Sequence, residues 1–135
     1  MRTIAVTILL LASATMAEAP VYQPVGTTLQ LMRAMVIPSS DVIFAVPGQA
    51  PKDDKEWASV QNSALMLAES GNLLMMTGRA KDNGEWIKDS KALVDAGAAA
   101  FKAANAKDVN KLTDLGDDIL TACETCHKKY KPDSQ

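Results

Sequence analysis

Three residues of chemically reactive types lie close together near the C-terminus. Cys123, Cys126 and His127 are the only two cysteines and the only histidine of the 135-residue chain. In a helix, offsets of three and four residues place all three side chains on one side. This arrangement suits haem c, because two thiols can add across the porphyrin vinyl groups while the imidazole reaches the iron from the same side.

Three other chemistries remain open for the same residues. A redox disulfide of the thioredoxin type belongs at the start of a helix that follows a strand, where the helix dipole lowers a thiol pKa. A structural disulfide between residues three apart would close a very short loop and stabilise little. Zinc needs four ligands, and two cysteines and one histidine do not reach that number without carboxylates.

Four segments of helical length lie between Pro- and Gly-containing breaks. No segment alternates apolar and polar residues, so the sequence predicts no strand. In each segment, apolar or small residues recur at spacings of three and four, which places one stripe on one helix face. The four stripes are Val25-Leu29-Met32-Val36, Trp57-Val60-Ala64-Leu67-Gly71-Leu74, Ile87-Ser90-Val94-Gly97-Phe101-Ala104 and Val109-Leu112-Gly116-Ile119-Cys123-Cys126-Tyr130.

The stripes predict an all-α fold, an antiparallel up-down-up-down four-helix bundle with the haem attached near the C-terminus of the last helix. A looser three-helix arrangement is the alternative. Asp53 followed by Glu56 predicts a capping box at the start of the second helix. Pro38 is expected to stop or kink the first helix, because proline lacks an N–H donor.

The N-terminus has the pattern of a secretory signal peptide. Residues 1–19 contain a positive start, a short apolar run and small residues. The run is shorter than the roughly 20 apolar residues that a membrane span requires. Cleavage is expected after Ala17, with Ala19 as the alternative. Residues 20–135 are expected to form a single haem-binding domain in the periplasm.

The charge distribution bears on partners and on catalysis. A net charge of −2 without a basic aromatic stripe argues against nucleic acid. No Ser-His-Asp set or second histidine is present, so no enzymatic activity is expected.

Lys128, Lys129 and Lys131 cluster beside the haem motif, where they would orient an acidic redox partner. Lysines at a helix C-terminus also complement the helix dipole, and the two roles are compatible.

The motif on the last of four helices, followed by Tyr130-Lys131, resembles the class II c-type cytochromes, which comprise cytochromes c′ and low-spin relatives of the c556 type. Gly48-Gln49-Ala50-Pro51 after the first helix is similar to the Gly-Gln/Glu-x-Pro loop common in that family. The resemblance covers the mature chain in length and helix order. Many such relatives dimerise through their first two helices, which leaves a homodimer open.

The resemblance implies one covalently attached haem c per chain. Cys123 and Cys126 would form the thioethers, and His127 would be the proximal ligand of the haem iron. Since no other histidine exists, the sixth ligand is methionine, water, an unusual donor or none.

Met32 and Met35 compete for the distal position. Met32 lies on the first apolar stripe, whereas Met35 shares a less apolar face with Thr28. In class II cytochromes, counting back from the Gly-Gln-x-Pro loop, the distal residue falls at Met32; it is methionine in low-spin members and apolar in gas-accessible ones. Cytochromes c′ commonly have a basic residue one turn earlier, where Thr28 stands here, and Arg33 is expected on a different face from Met32. Methionines that merely fill the core are the remaining alternative.

These observations predict an exported monohaem c-type cytochrome that carries single electrons through a His/Met-ligated, low-spin haem. If Met32 does not bind iron, a five-coordinate haem would bind nitric oxide or carbon monoxide. A structural or scavenging haem protein is the third alternative.

Overall fold

The computed structural model of the chain describes residues 22–131. Within this range the chain forms four helices packed against one another and no strand. Consecutive helices are neighbours, and the first also contacts the fourth, so the helices form a closed ring around a shared core. The prediction of an all-helical bundle of four helices, rather than three, is confirmed. The predicted signal peptide, residues 1–19, lies outside the described residues.

The first helix, α1, spans residues 28–45 in three parts: α-helical Thr28–Leu31, π-helical Met32–Val36 and α-helical Ile37–Ala45. The others are α2 (Asp54–Leu74), α3 (Glu85–Asn105) and α4 (Val109–Tyr130). Their boundaries fall at the predicted breaks. No helix in the described part of the chain is long and apolar enough to cross a membrane.

Side-chain caps start the first two helices. The Thr27 hydroxyl accepts a hydrogen bond from the Gln30 N–H at 3.2 Å, and the Gln30 side chain accepts one from the Thr27 N–H at 2.9 Å. This complete capping box was not predicted. At α2, Asp53 accepts from the Glu56 N–H at 2.8 Å as predicted, but Glu56 accepts from the Lys52 N–H at 2.7 Å. The predicted box at α2 is therefore only half formed.

A three-residue connection, 106–108, joins α3 to α4. Lys107 adopts φ 55°, in the left-handed region. Its N–H bonds to the Ala104 carbonyl and the Asp108 N–H to the Ala103 carbonyl, both at 3.0 Å, which is the Schellman pattern. The Asp108 side chain then accepts from the Lys111 N–H at 2.9 Å and caps α4. This tight connection keeps α4 beside α3.

Pro38 does not stop α1. Because proline has no N–H and its ring crowds the carbonyl four residues earlier, an ordinary α-helical ladder is disrupted there. The chain instead forms a π-helical turn over Met32–Val36, in which the Ile37 N–H bonds to the Met32 carbonyl, five residues back. The helix continues through Pro38, and the only change in its geometry is the wider π-helical turn that precedes the proline.

The predicted stripes agree with the observed core to different degrees. All six stripe residues of α2 are buried. In α3 the buried large side chains are Trp86 and Leu93, one position before the predicted Ile87 and Val94, which are half-buried. Because α3 packs against both α2 and α4, its buried face is wider than one stripe. This wider face therefore also contains Trp86 and Leu93.

The predicted stripe of α1 is wrong at its N-terminal end. Val25 is fully exposed, at 100%, and precedes the helix, while Leu29 is 51% exposed. Further along the stripe, Met32 is half-buried and Val36 is buried as predicted, and Leu31 and Ile43 are buried as well. The helix starts only at residue 28, so Val25 is not part of it.

Two glycines bring the backbones of α2 and α3 close together. A Cβ built on Gly97 would lie 2.6 Å from the Ala68 nitrogen, and one on Gly71 would lie 2.8 Å from the Ser90 carbonyl oxygen. Real Cβ atoms do not approach backbone atoms so closely. These contacts fix the spacing between α2 and α3.

We expect Gly97→Ala to lower the free energy of unfolding by about 1–3 kcal/mol, because overpacking outweighs the gain in helix propensity of roughly 1 kcal/mol. The matched control is Gly116→Ala in α4, where a Cβ would meet only the Phe44 ring, at 3.8 Å. That variant should be neutral or stabilised. Denaturant unfolding followed by circular dichroism measures both, and equal effects would contradict the close-packing account.

Candidate functional site

The predicted motif lies in the last two turns of α4. Cys123, Cys126 and His127 are half-buried, and all three line one cavity of about 230 Å³. The expectation that the three side chains share one side of the helix is confirmed. α4 therefore presents two thiols and an imidazole to the same partly enclosed space.

The facing wall of this cavity is formed by α1, with smaller contributions from α2 and α3. Leu29 and Ile37 keep 51% and 49% of their surface exposed although they border it. A ligand with broad apolar faces would cover this exposed apolar surface, which is energetically favourable. The apolar residues of the wall are Leu29, Met32, Val36, Ile37, Leu74 and Leu93.

A second depression, of about 440 Å³, adjoins the first. It is also lined by Met32, Cys126 and His127, and it is bounded on another side by Trp86 and Tyr130. Because Met32 and His127 line both spaces, these two side chains border their junction. A flat ligand wider than the first cavity could therefore extend into the second.

Met32 and Met35 are placed differently. Met32 is half-buried at the first residue of the π-turn and lines both depressions, whereas Met35 is half-buried against the core and lines neither. π-turns within α-helices frequently occur at functional sites. The structure thus brings Met32, and not Met35, together with the motif of α4.

Burial raises the pKa of both thiols. For Cys126, burial and then the negative charge of Asp89 raise the pKa to about 11; for Cys123, burial is the main cause of the upward shift. A redox-active Cys-x-x-Cys pair needs the opposite shift, because the thiolate is the nucleophile. The pair also lies at the C-terminal end of its helix. The site does not have the electrostatics of a thioredoxin-type centre.

Burial has the complementary effect on the imidazole. It lowers the pKa of His127, and the nearby Lys131 charge lowers it further. Both effects favour the neutral ring at neutral pH. A neutral imidazole has a nitrogen lone pair available to a metal ion, so the environment of His127 suits a ligand role.

Two buried polar residues of α3 also line the first cavity, and neither was predicted as part of a site. Asp89 is 8% exposed and Ser90 is 2% exposed. The Ser90 hydroxyl oxygen has no hydrogen-bond partner within residues 22–131. Ser90 was expected only as a stripe residue, and a lone aspartate beside a stripe position gave no sequence signal.

Cationic side chains stand at the rim of the cavity. Arg33 and Lys131 are exposed and line it. Met32, which is half-buried, and Arg33, which is exposed, thus border the same cavity although different faces of the helix were expected for them. Thr28 lines the second depression together with Lys81.

The end of α4 is tied to the start of α3. The Tyr130 hydroxyl donates to the Asp82 carboxylate at 2.5 Å, and the Tyr130 ring packs edge-on against Trp86 at 4.9 Å between centroids. Lys129 forms an ion pair with Glu85. Of the three lysines predicted to dock a partner, Lys129 therefore already has an acidic partner within the chain. These contacts hold the turn that carries His127.

Comparisons with protein-family models, with curated proteins and with solved structures find no match. Within residues 22–131, no group of three or more His, Cys, Asp or Glu side chains could hold a metal ion.

We expect Cys126 in the folded chain, without an attached group, to react slowly with iodoacetamide near pH 8. The rate of alkylation should increase with pH and show an apparent pKa of about 11, because burial and the negative charge of Asp89 favour the protonated thiol. Mass spectrometry of the alkylated peptide at increasing pH measures this. The same chain in urea is the control and should react with an ordinary thiol pKa. Fast alkylation of the folded chain at pH 7 would contradict a raised pKa for the Cys126 thiol.

Proposed function

We propose that the chain is an exported monohaem c-type cytochrome of the class II kind, which carries single electrons through a low-spin haem. The observation that carries this proposal is that Met32 of α1 and the Cys-x-x-Cys-His residues of α4 line one cavity. In this arrangement Cys123 and Cys126 hold the haem as thioethers, His127 is the proximal iron ligand and Met32 is the distal ligand.

The residues of the site fit such a group. The cavity wall is largely apolar, and Leu29 and Ile37 leave apolar surface that a porphyrin face would cover. Arg33 and Lys131 at the rim have the charge to pair with its two propionates. A haem iron would take only one or two protein ligands, so it would not require the three-ligand cluster that residues 22–131 lack.

When bound, the haem supplies a one-electron iron couple. His127 contributes a lone pair because burial keeps its ring neutral. Met32 contributes a soft, neutral sulfur, which raises the reduction potential relative to a stronger donor. The two ligands come from α1 and α4, which pack against each other. Helix packing therefore limits how far the ligands can move when the oxidation state changes, which favours rapid electron exchange.

The remaining parts of the proposal follow from the sequence. The bundle is antiparallel, in keeping with neighbouring consecutive helices and the three-residue connection between α3 and α4. The signal peptide of residues 1–19 directs the chain to the periplasm. The exposed Lys128, with Lys131 at the rim of the cavity, gives the haem edge a local positive charge that steers an acidic redox partner.

A second function has one specific observation in its favour. Around Met32 the cavity is lined by Leu29, Val36 and Ile37, all apolar. If the Met32 sulfur stays away from the iron, these side chains form a distal pocket of the kind that admits nitric oxide or carbon monoxide. The same bundle would then bind gas instead of carrying electrons.

We expect the purified, exported protein to show a low-spin absorption spectrum, in both oxidation states, that does not respond to carbon monoxide. Met32→Leu should convert the site to high spin and allow carbon monoxide to bind, because leucine has no donor atom. Met35→Leu is the matched control and should leave the spectrum unchanged, since Met35 lines neither depression. A high-spin, gas-sensitive wild-type spectrum would favour the second function.

We expect Cys123→Ser and Cys126→Ser each to loosen or abolish covalent haem attachment, because serine forms no thioether with a vinyl group. Mass spectrometry of the exported chain measures the attached mass. Thr125→Ser is the control; Thr125 lies between the two cysteines in sequence, is exposed and lines neither depression. Full haem content after either cysteine change would overturn the proposal.

A further inference from the structure

The first cavity contains a carboxylate that the proposed ligand set does not use. Asp89 is 8% exposed and lines this cavity together with the adjacent Ser90, which is 2% exposed. The Ser90 hydroxyl oxygen has no hydrogen-bond partner within residues 22–131. Holding a carboxylate at a largely buried position is costly unless a positive charge or a donor compensates it.

We propose that Asp89 is an electrostatic tuning residue that lowers the reduction potential of the haem iron. This inference rests on the proposed function and concerns the same cavity. Ferric iron carries one more positive charge than ferrous iron, so a nearby buried carboxylate stabilises the ferric state more. Burial and nearby charge are established means by which a protein sets a haem potential. Asp89 acts in the direction opposite to the Met32 sulfur.

Burial distinguishes Asp89 from the other charged side chains of the cavity. Arg33 and Lys131 line the same space but are exposed, so water and salt screen their fields. Asp89 is surrounded mainly by protein, where the effective dielectric constant is lower and the interaction stronger. Its charge also acts within the motif, because it contributes to the field at the Cys126 sulfur.

The test is a spectroelectrochemical titration of the haem-loaded protein and of Asp89→Asn, which keeps the shape and removes the charge. We expect the midpoint potential to rise, with the ferrous-to-ferric ratio at fixed potential increasing at least roughly threefold. A tenfold change corresponds to about 59 mV for one electron. Asp89→Ala should shift the potential in the same direction, and Asp89→Glu should stay near the wild type.

Two controls separate charge from packing and from distance. Ser90→Ala removes a neutral polar group from the same cavity and should change the potential much less than Asp89→Asn. Asp118→Asn removes an exposed carboxylate of α4 that does not line the cavity, and should leave the potential unchanged. Circular dichroism and haem content, measured for every variant, show that each remains folded and loaded.

The outcomes distinguish this inference from the function on which it rests. A wild-type chain without covalent haem overturns both. A loaded chain whose potential is the same in Asp89→Asn and wild type overturns the role of Asp89 alone. An equal shift in Ser90→Ala also overturns it, because the cause would then be packing. A rise confined to Asp89→Asn and Asp89→Ala supports it.

Discussion

The candidate site depends on the packing of α1 against α4, because the cavity has one wall on each. α4 supplies Cys123, Cys126 and His127, and α1 supplies Met32 and most of the apolar surface. Neither helix could form the site alone. Their positions are set by the rest of the ring: glycine contacts hold α2 against α3, a three-residue connection joins α3 to α4, and α1 packs on α2.

One physical cause explains the contrasting electrostatics of the motif. Removal from water disfavours the charged form of any group, so it raises the pKa of the thiols and lowers that of His127. The thiols are consequently poor nucleophiles, while the imidazole is available as a neutral donor. A helix N-terminus would produce the reverse for a cysteine, as in redox disulfide centres. The position of the motif along its helix therefore matters as much as its spacing.

How much could be predicted from the sequence depends on how local the cause is. The α2 stripe was confirmed at every position because a regular helix between two clear breaks needs only its own periodicity. The α1 stripe failed only at its N-terminal end, because periodicity does not show that the helix begins at residue 28 and leaves Val25 outside it. The α3 stripe missed Trp86 and Leu93 because two neighbours widen the buried face. Asp89 was missed because its burial arises from packing between helices. The grouping of the motif residues on one side of α4 followed from spacing alone.

The π-turn of α1 has a consequence for how the two ends of the helix can vary. An i→i+5 turn accommodates one residue more than the α-helical pattern, so it behaves as a one-residue insertion retained inside a continuous helix. Met32, at its start, faces the cavity, while Ile43, beyond it, packs in the bundle core. Deleting one residue from the turn would rotate one end against the other and misalign either the cavity wall or the core. The turn therefore allows one continuous helix to line the cavity near its start and to pack in the bundle core near its end.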